Sequence, residues 1–270
     1  MRSLAAFLAI SCSCLLLAAC GGEGEATATR DCSDRADRVN TAGGLGSVST
    51  GSADSTYVAW TDISPSTQGT RASYLGDEVT FVRWAAKARA QFYADAFGGV
   101  PSMTTDFPVQ ADFSVTKPAF DGNEDLADAD RDCDAQSLKG PLEALAQKDP
   151  QGDGSSLLQT LAVTARFTEQ LTDSVPYVAL FTDGQVVEPS WDVRTQPLTQ
   201  ELRQSLVAEW APQLAGLEGA HVFVVGIGRG VHMSPQQLTD VHAVLSDMLG
   251  EVHATLDVFG VRLAQGGAGS

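Results

Sequence analysis

Three short stretches of this chain gather oxygen-bearing side chains in patterns that suit a hard cation. Asp62-Ile-Ser64-Pro-Ser66 sets a carboxylate and two hydroxyls at alternate positions. Gly152-Asp-Gly154-Ser155-Ser156-Leu157 offers two adjacent hydroxyls, and Thr182-Asp183-Gly184 adds a second carboxylate. Mg²⁺ takes octahedral oxygen ligands and keeps several waters. Two carboxylates with two or three hydroxyls leave one position open, and the low ligand charge keeps the cation attractive to an anion such as a partner protein's Asp or Glu. The candidate ligands are therefore Asp62, Ser64, Ser66, Asp183 and one of Ser155 and Ser156. The expected cofactor is a divalent cation, Mg²⁺ first, with Mn²⁺ or Ca²⁺ as alternatives. Each stretch alone is ordinary, because Asp and Ser commonly start turns and cap helices. Their weight comes from where the surrounding elements put them.

Those elements alternate. Tyr57-Val-Ala-Trp-Thr61, Tyr177-Val-Ala-Leu-Phe181 and His221-Val-Phe-Val-Val-Gly226 are short apolar runs that read as buried strands, and residues 254–263 read as a final strand. Helices are expected over 77–97, through Phe81, Ala85, Ala88, Phe92 and Ala96 with Gly98-Gly99 as the stop, and over 155–173. Two more are expected over 198–211, disturbed by Pro212, and over 235–249. Residues 100–116 read as one or two edge strands, and 117–150 as an irregular acidic insertion. Near-continuous apolar strands alternating with amphipathic helices predict an α/β domain with a mostly parallel central sheet covered by helices on both faces. Ligands of such sheets bind at the carboxyl ends of the strands. Asp62 and Asp183 each follow a strand, and Ser155 opens a helix, so all three stretches converge on one edge.

At these residues the chain resembles the von Willebrand factor type A family. The resemblance covers roughly residues 55–263 and implies a Rossmann-like fold with a metal-ion-dependent adhesion site. Asp62, Ser64 and Ser66 match that site's Asp-x-Ser-x-Ser motif, and Asp183 matches its strand-Thr-Asp-Gly element. Ser155 falls where the family usually has Thr, with Ser156 as the rival, and the apolar strand ending in Gly226-Ile-Gly228 is similar to a later strand of the family.

The first twenty residues read differently. Arg2 is the only charge before Cys20, an Ala/Leu-rich run spans 4–19, and Leu17-Ala18-Ala19-Cys20 resembles the lipobox of bacterial lipoproteins. Residues 1–19 are thus expected to be a signal peptide, with Cys20 as the lipidated N-terminus; two acyl chains give stable anchoring where one is marginal. Residues 20–55, poor in apolar side chains, are expected to be a flexible tether, 56–264 the folded domain, and 265–270 a disordered tail. Of five Cys, Cys12 and Cys14 leave with the signal and Cys20 takes the lipid. Cys32 and Cys133 remain, and an oxidising envelope predicts a disulfide between them.

A formal net charge of −17 excludes nucleic acid as a partner bound through general electrostatics. The stretch from Asp121 to Asp132 begins like a calcium loop, but Leu126 stands where the motif needs Gly and Asp132 where it needs Glu. Gly226-Ile-Gly228-Arg-Gly230 lacks the third glycine of a dinucleotide loop. The four His are scattered without metal-ligand spacing, and no nucleophile elbow is present. The expected function is a non-enzymatic, lipid-anchored envelope module that binds the acidic side chain of a partner protein. The alternatives are a structural lipoprotein with a silent site and, less favoured, a metal-dependent hydrolase.

Overall fold

The computed structural model describes residues 40–41, 54–99, 101, 107–114, 124–152, 154–171 and 174–263. These lie in a single unit, Asp31–Ser270. In chain order the elements are β1 (Asn40–Thr41), β2 (Ser55–Asp62), α1 (Leu75–Lys87), β3 (Gln91–Phe97), β4 (Val109–Asp112), α2 (Glu124–Ser137) and α3 (Lys139–Ala146). There follow α4 (Leu157–Thr168), β5 (Val175–Phe181), β6 (Val187–Glu188), β7 (Trp191–Asp192), α5 (Gln200–Trp210), β8 (His221–Val225), α6 (Pro235–Glu251) and β9 (Thr255–Gly260).

The main sheet has the order β1-β4-β3-β2-β5-β8-β9. β3, β2, β5, β8 and β9 are parallel, and β4 runs antiparallel between β3 and β1. Helices cover both faces. α4, α5 and α6 pack over Val58, Trp60, Val178, Leu180, Val222 and Val224, while α1, α2 and α3 supply apolar side chains over Tyr57, Ala59, Ala179, Phe181 and Phe223. The expected α/β class and mostly parallel sheet hold. The strands read as continuously apolar are the buried central ones, as parallel strands with two covered faces must be.

The expected helix over 77–97 is corrected. The helix ends at Lys87, Arg89 turns the chain with φ 54°, the Ala90 amide closes the turn onto the Ala85 carbonyl, and residues from Gln91 form a strand. The reason lies in the spacing. Ala88, Phe92 and Ala96 are four residues apart, which puts them on one face of a helix but also, four being even, on one face of a strand. Pairing with β2 on one side and β4 on the other decides for the strand. Gly98-Gly99 therefore follows a strand.

The irregular insertion expected over 117–150 is also corrected, since it holds α2 and α3. Ala135, Leu138, Leu142 and Leu145 are buried at helical spacing, and Arg83 of α1 bridges to the exposed Asp132 at 3.0 Å. Such an exposed pair contributes little; the apolar stripe holds the two helices down. Cys133 is buried and disulfide-bonded. Its expected partner Cys32 lies outside the described residues, as do Cys20, residues 1–19, the 265–270 tail and the start of the calcium-like stretch. Within the expected tether, Asn40–Thr41 forms β1 against β4. Among the described residues of 100–116 there is one strand, β4, and it lies between β3 and β1, not at the sheet's edge. Pro212 sits in a 3-10 turn, Ala211–Leu217, that follows α5 directly. Among the described residues, no helix is long and apolar enough to cross a membrane.

Under the sheet, Glu78 of α1 is almost fully buried. One carboxyl oxygen accepts a hydrogen bond from Thr61 at 2.6 Å, and the other has no hydrogen-bond partner among the described residues. Burial pushes its pKa up to about 7. A carboxyl whose folded pKa lies above its unfolded value of 4.5 stabilises the fold at low pH and loses that contribution as pH rises through about 7. Glu78→Gln is therefore expected to match wild type near pH 5 and to exceed it near pH 8 by about 2–3 kcal/mol. Denaturant midpoints measured across that range check it, and a stability difference that does not change with pH would refute the assignment.

Candidate metal centre

Parallel pairing brings the three oxygen-rich stretches together. Thr61 of β2 registers with Phe181 of β5, so Asp62 and the Thr182-Asp183 pair emerge side by side from one edge of the sheet. Asp62, Ser64, Ser155, Thr182 and Asp183 are at most 1% exposed, and Ser66 is half-buried on the open side.

Asp62 is the hub. Its Oδ2 accepts hydrogen bonds from the Ser155 hydroxyl at 2.5 Å and the Thr182 hydroxyl at 2.7 Å, and its Oδ1 accepts from the Ser64 amide at 2.8 Å. The Ser64 Oγ lies 3.0 Å from that of Ser66 and 3.1 Å from that of Ser155. Asp183 accepts from the Gln185 amide at 2.9 Å through Oδ1, while its Oδ2 is buried with no hydrogen-bond partner among the described residues. Burial raises the pKa of Asp62, against the opposing hydrogen bonds from Ser155, Thr182 and Ser64. Burial first, and then the nearby Asp62 charge, push Asp183 up to about 6, with Ser66 and the Gln185 amide opposing.

Of the two adjacent serines, Ser155 is the one whose hydroxyl enters the cluster. Ser156 caps α4 without a side-chain hydrogen bond, its carbonyl accepting instead from the amide and hydroxyl of Thr160. Ser155 is held as a single rung between two strand ends. It forms parallel bridges to Gly99 and to Val186, and its carbonyl accepts from the Val187 amide at 3.0 Å. The rung depends on glycine. Gly99 and Gly152 have φ of +66° and +72°, and a Cβ on Gly152 would stand 2.5 Å from the Gly99 Cα. A Cβ on Gly98 would stand 2.7 Å from the Gln151 carbonyl oxygen and 3.1 Å from the Ser64 amide. Gly98-Gly99 lets two backbones touch beside the Asp62 loop, which no side chain would permit.

All five residues singled out in the sequence, Asp62, Ser64, Ser66, Ser155 and Asp183, thus lie at one edge. Two further residues belong with them. Thr182 orients Asp62, and its own hydroxyl accepts from the Gly184 amide at 3.1 Å; its place inside Thr-Asp-Gly was the available signal. Arg71 packs beneath the Asp62 loop, and nothing in its spacing announced it. Among the described residues no group of three or more His, Cys, Asp or Glu side chains is placed to hold a metal ion, and the side chains that meet at this edge carry carboxylate and hydroxyl oxygens. The donor set fits a hard divalent cation better than a soft one. The orphaned Asp183 Oδ2 is the atom whose burial a cation would offset.

Known proteins with related folds are distant. No family model matches the sequence, and no curated protein matches it. Among solved structures, the chain is similar to a von Willebrand factor type A protein from Catenulispora acidiphila, with 15% identity, a TM-score of 0.43, and 77% of this chain and 38% of that one covered. It is also similar to the PilB minor pilin from Streptococcus sanguinis, with 12% identity, a TM-score of 0.41, and coverage of 78% and 57%. A third likeness is to the human COPII-coat protein Sec24c, with 9% identity, a TM-score of 0.36, and coverage of 79% and 30%. The chain spans less than two thirds of the length of each. The first of these carries the name of the family that the sequence motifs resemble.

Proposed function

We propose that this edge of the sheet is a divalent-cation site through which a lipid-anchored envelope protein binds an acidic side chain of a partner protein. The observation that carries the reading is the pair of buried carboxylates, one with an oxygen lacking any hydrogen bond, set among hydroxyls and with no ion pair to either among the described residues. Burying two like charges side by side is costly unless a cation is shared between them. Asp62, Ser64, Ser66, Ser155 and Asp183 would hold the ion, Mg²⁺ first. The bound ion would supply a positive centre for an incoming carboxylate. Ser66, the half-buried member, marks the side from which that carboxylate would approach. The proposed role is binding rather than catalysis. The proposed location is the outer face of a membrane, held by lipid on Cys20.

A ligand that binds only the native state stabilises it by about 2.7 kcal/mol at a hundred times its dissociation constant. Wild type at saturating Mg²⁺ should therefore gain roughly 5–10 °C in Tm for a domain of this size. The double variant Asp62→Ala, Asp183→Ala should gain nothing. Equal stabilisation of both by Mg²⁺ would show that the ion sits elsewhere.

Ser155 gives a finer test. Ser155→Thr keeps the hydroxyl and should hold Mn²⁺ affinity within a few-fold of wild type, whereas Ser155→Ala should weaken it at least about tenfold. An alanine variant that binds as well as the threonine one would remove Ser155 from the ligand set.

The anchor is testable separately. Wild type expressed in a bacterium should partition into the detergent phase of a Triton X-114 extraction, and Cys20→Ser into the aqueous phase. Wild-type protein found in the aqueous phase would end the lipid assignment.

A further inference from the structure

We infer that Arg71 is a positioning residue that fixes the loop bearing Asp62, Ser64 and Ser66 against the loop leading to Ser155. The inference deepens the cation-site reading above and rests on it for its functional meaning. The observations are geometric. Arg71 lies in the 3-10 turn Arg71–Ser73, is 5% exposed, and uses all three guanidinium nitrogens inward. Nη2 donates to the main-chain carbonyls of Ile63 at 2.5 Å and Ser64 at 2.9 Å, Nη1 donates to the carbonyl of Lys148 at 2.9 Å, and Nε donates to the Thr67 hydroxyl at 3.2 Å. Thr67 is itself tied by its hydroxyl to the carbonyls of Asp62 and Ser64, both at 2.9 Å.

One side chain therefore joins two segments far apart in sequence. The Ile63 and Ser64 carbonyls belong to the loop that aims the Asp62 carboxylate and the two serine hydroxyls. Lys148 begins the segment whose Gln151 amide donates to the Ile63 carbonyl at 3.2 Å and whose Gly154 carbonyl accepts from Gly99 at 2.8 Å, one residue before Ser155. Ser155 and Asp62 meet across this junction. A buried guanidinium spent on carbonyls instead of a carboxylate is an unusual use of a charge. Its planar fork, with five N–H groups in fixed directions, suits several carbonyls held in one geometry, which an ammonium on a flexible stem does not. Burial disfavours the Arg71 charge and the nearby Asp62 carboxylate favours it.

The test compares Arg71→Gln and Arg71→Lys with wild type and with Leu245→Ala, a control destabilised at a buried α6 position on the opposite face of the sheet. Two readouts are taken on the full-length protein. In metal-free protein, amide hydrogen exchange at Thr67 and Gln151 should rise about tenfold or more together in both Arg71 variants and stay at wild-type rates in the Leu245→Ala control. Mn²⁺ affinity, measured by titration calorimetry, should fall about 10–100-fold in Arg71→Gln, less in Arg71→Lys, and not at all in the control. Unchanged exchange at Thr67 and Gln151 in both Arg71 variants overturns the inference whatever the metal does. So does a loss of Mn²⁺ affinity in the control equal to that in Arg71→Gln, because stability alone would then account for it. If wild type binds no Mn²⁺ but the exchange changes appear as stated, the loop tie stands and the cation reading falls.

Discussion

Two carboxylates, Asp62 and Asp183, sit fully buried at one edge of the sheet, and much of the local structure is arranged around the cost of keeping them there. Removing a carboxylate from water costs several kcal/mol even after the surroundings relax. Asp62 recovers part of this from three hydrogen bonds, two from hydroxyls on different elements and one from its own loop's amide. Asp183 recovers less, from the Gln185 amide and the Ser66 side chain, with its Oδ2 left without a hydrogen-bond partner among the described residues. Hydroxyls suit this task because they are neutral donors that can also turn a lone pair toward a cation. A lysine in their place would neutralise the charge permanently and close the site.

The constraint reaches back into the fold. Asp62 and Asp183 are brought together by the register of β2 with β5, and that register is held by apolar side chains on both faces, Val58 and Trp60 on one and Tyr57 and Ala59 on the other. A slip of one residue would exchange the two faces and carry Asp62 away from its partners. The Trp60 indole, which donates to Thr164 of α4 at 2.8 Å, ties that strand to the helix whose first residues follow Ser155. The core thus fixes both the vertical position of the acids and the distance to the hydroxyl that caps them.

What could be read from the sequence follows from which interactions are local. β2, β5 and β8 were legible because a strand buried on both faces needs apolar residues at nearly every position, a pattern contained within the strand itself. Once parallel strands were inferred, the place of Asp62 and Asp183 followed from the rule that loops after such strands share one edge. β3 was not legible, because Phe92 and Ala96 satisfy helix and strand geometry alike and only the neighbours β2 and β4 separate them. α2 and α3 were hidden by their acidic surface, which masked the buried stripe from Ala135 to Leu145. Arg71 was invisible for a deeper reason: three of its four partners are main-chain carbonyls, and a carbonyl has no letter in the sequence.

The glycine pair shows the same limit from the other direction. Gly98-Gly99 reads as punctuation at the end of a helix, and its composition signal is genuine. The signal's meaning changes once the preceding element is a strand. Gly98 and Gly99 then lie against Gln151 and Gly152, so close that the absence of two Cβ atoms sets the separation between the Asp62 loop and the segment that delivers Ser155. The 2.5 Å contact between Ser155 and Asp62 therefore depends on atoms that are missing as much as on those present. A Cβ at Gly98 or Gly152 would stand 2.7 or 2.5 Å from main-chain atoms of the facing segment, so the two backbones would have to part. Close backbone contact on one side and a guanidinium fork on the other act on the same gap. The gap has to be set this tightly because its two walls come from parts of the chain some ninety residues apart, and each oxygen must be within hydrogen-bond reach of the next.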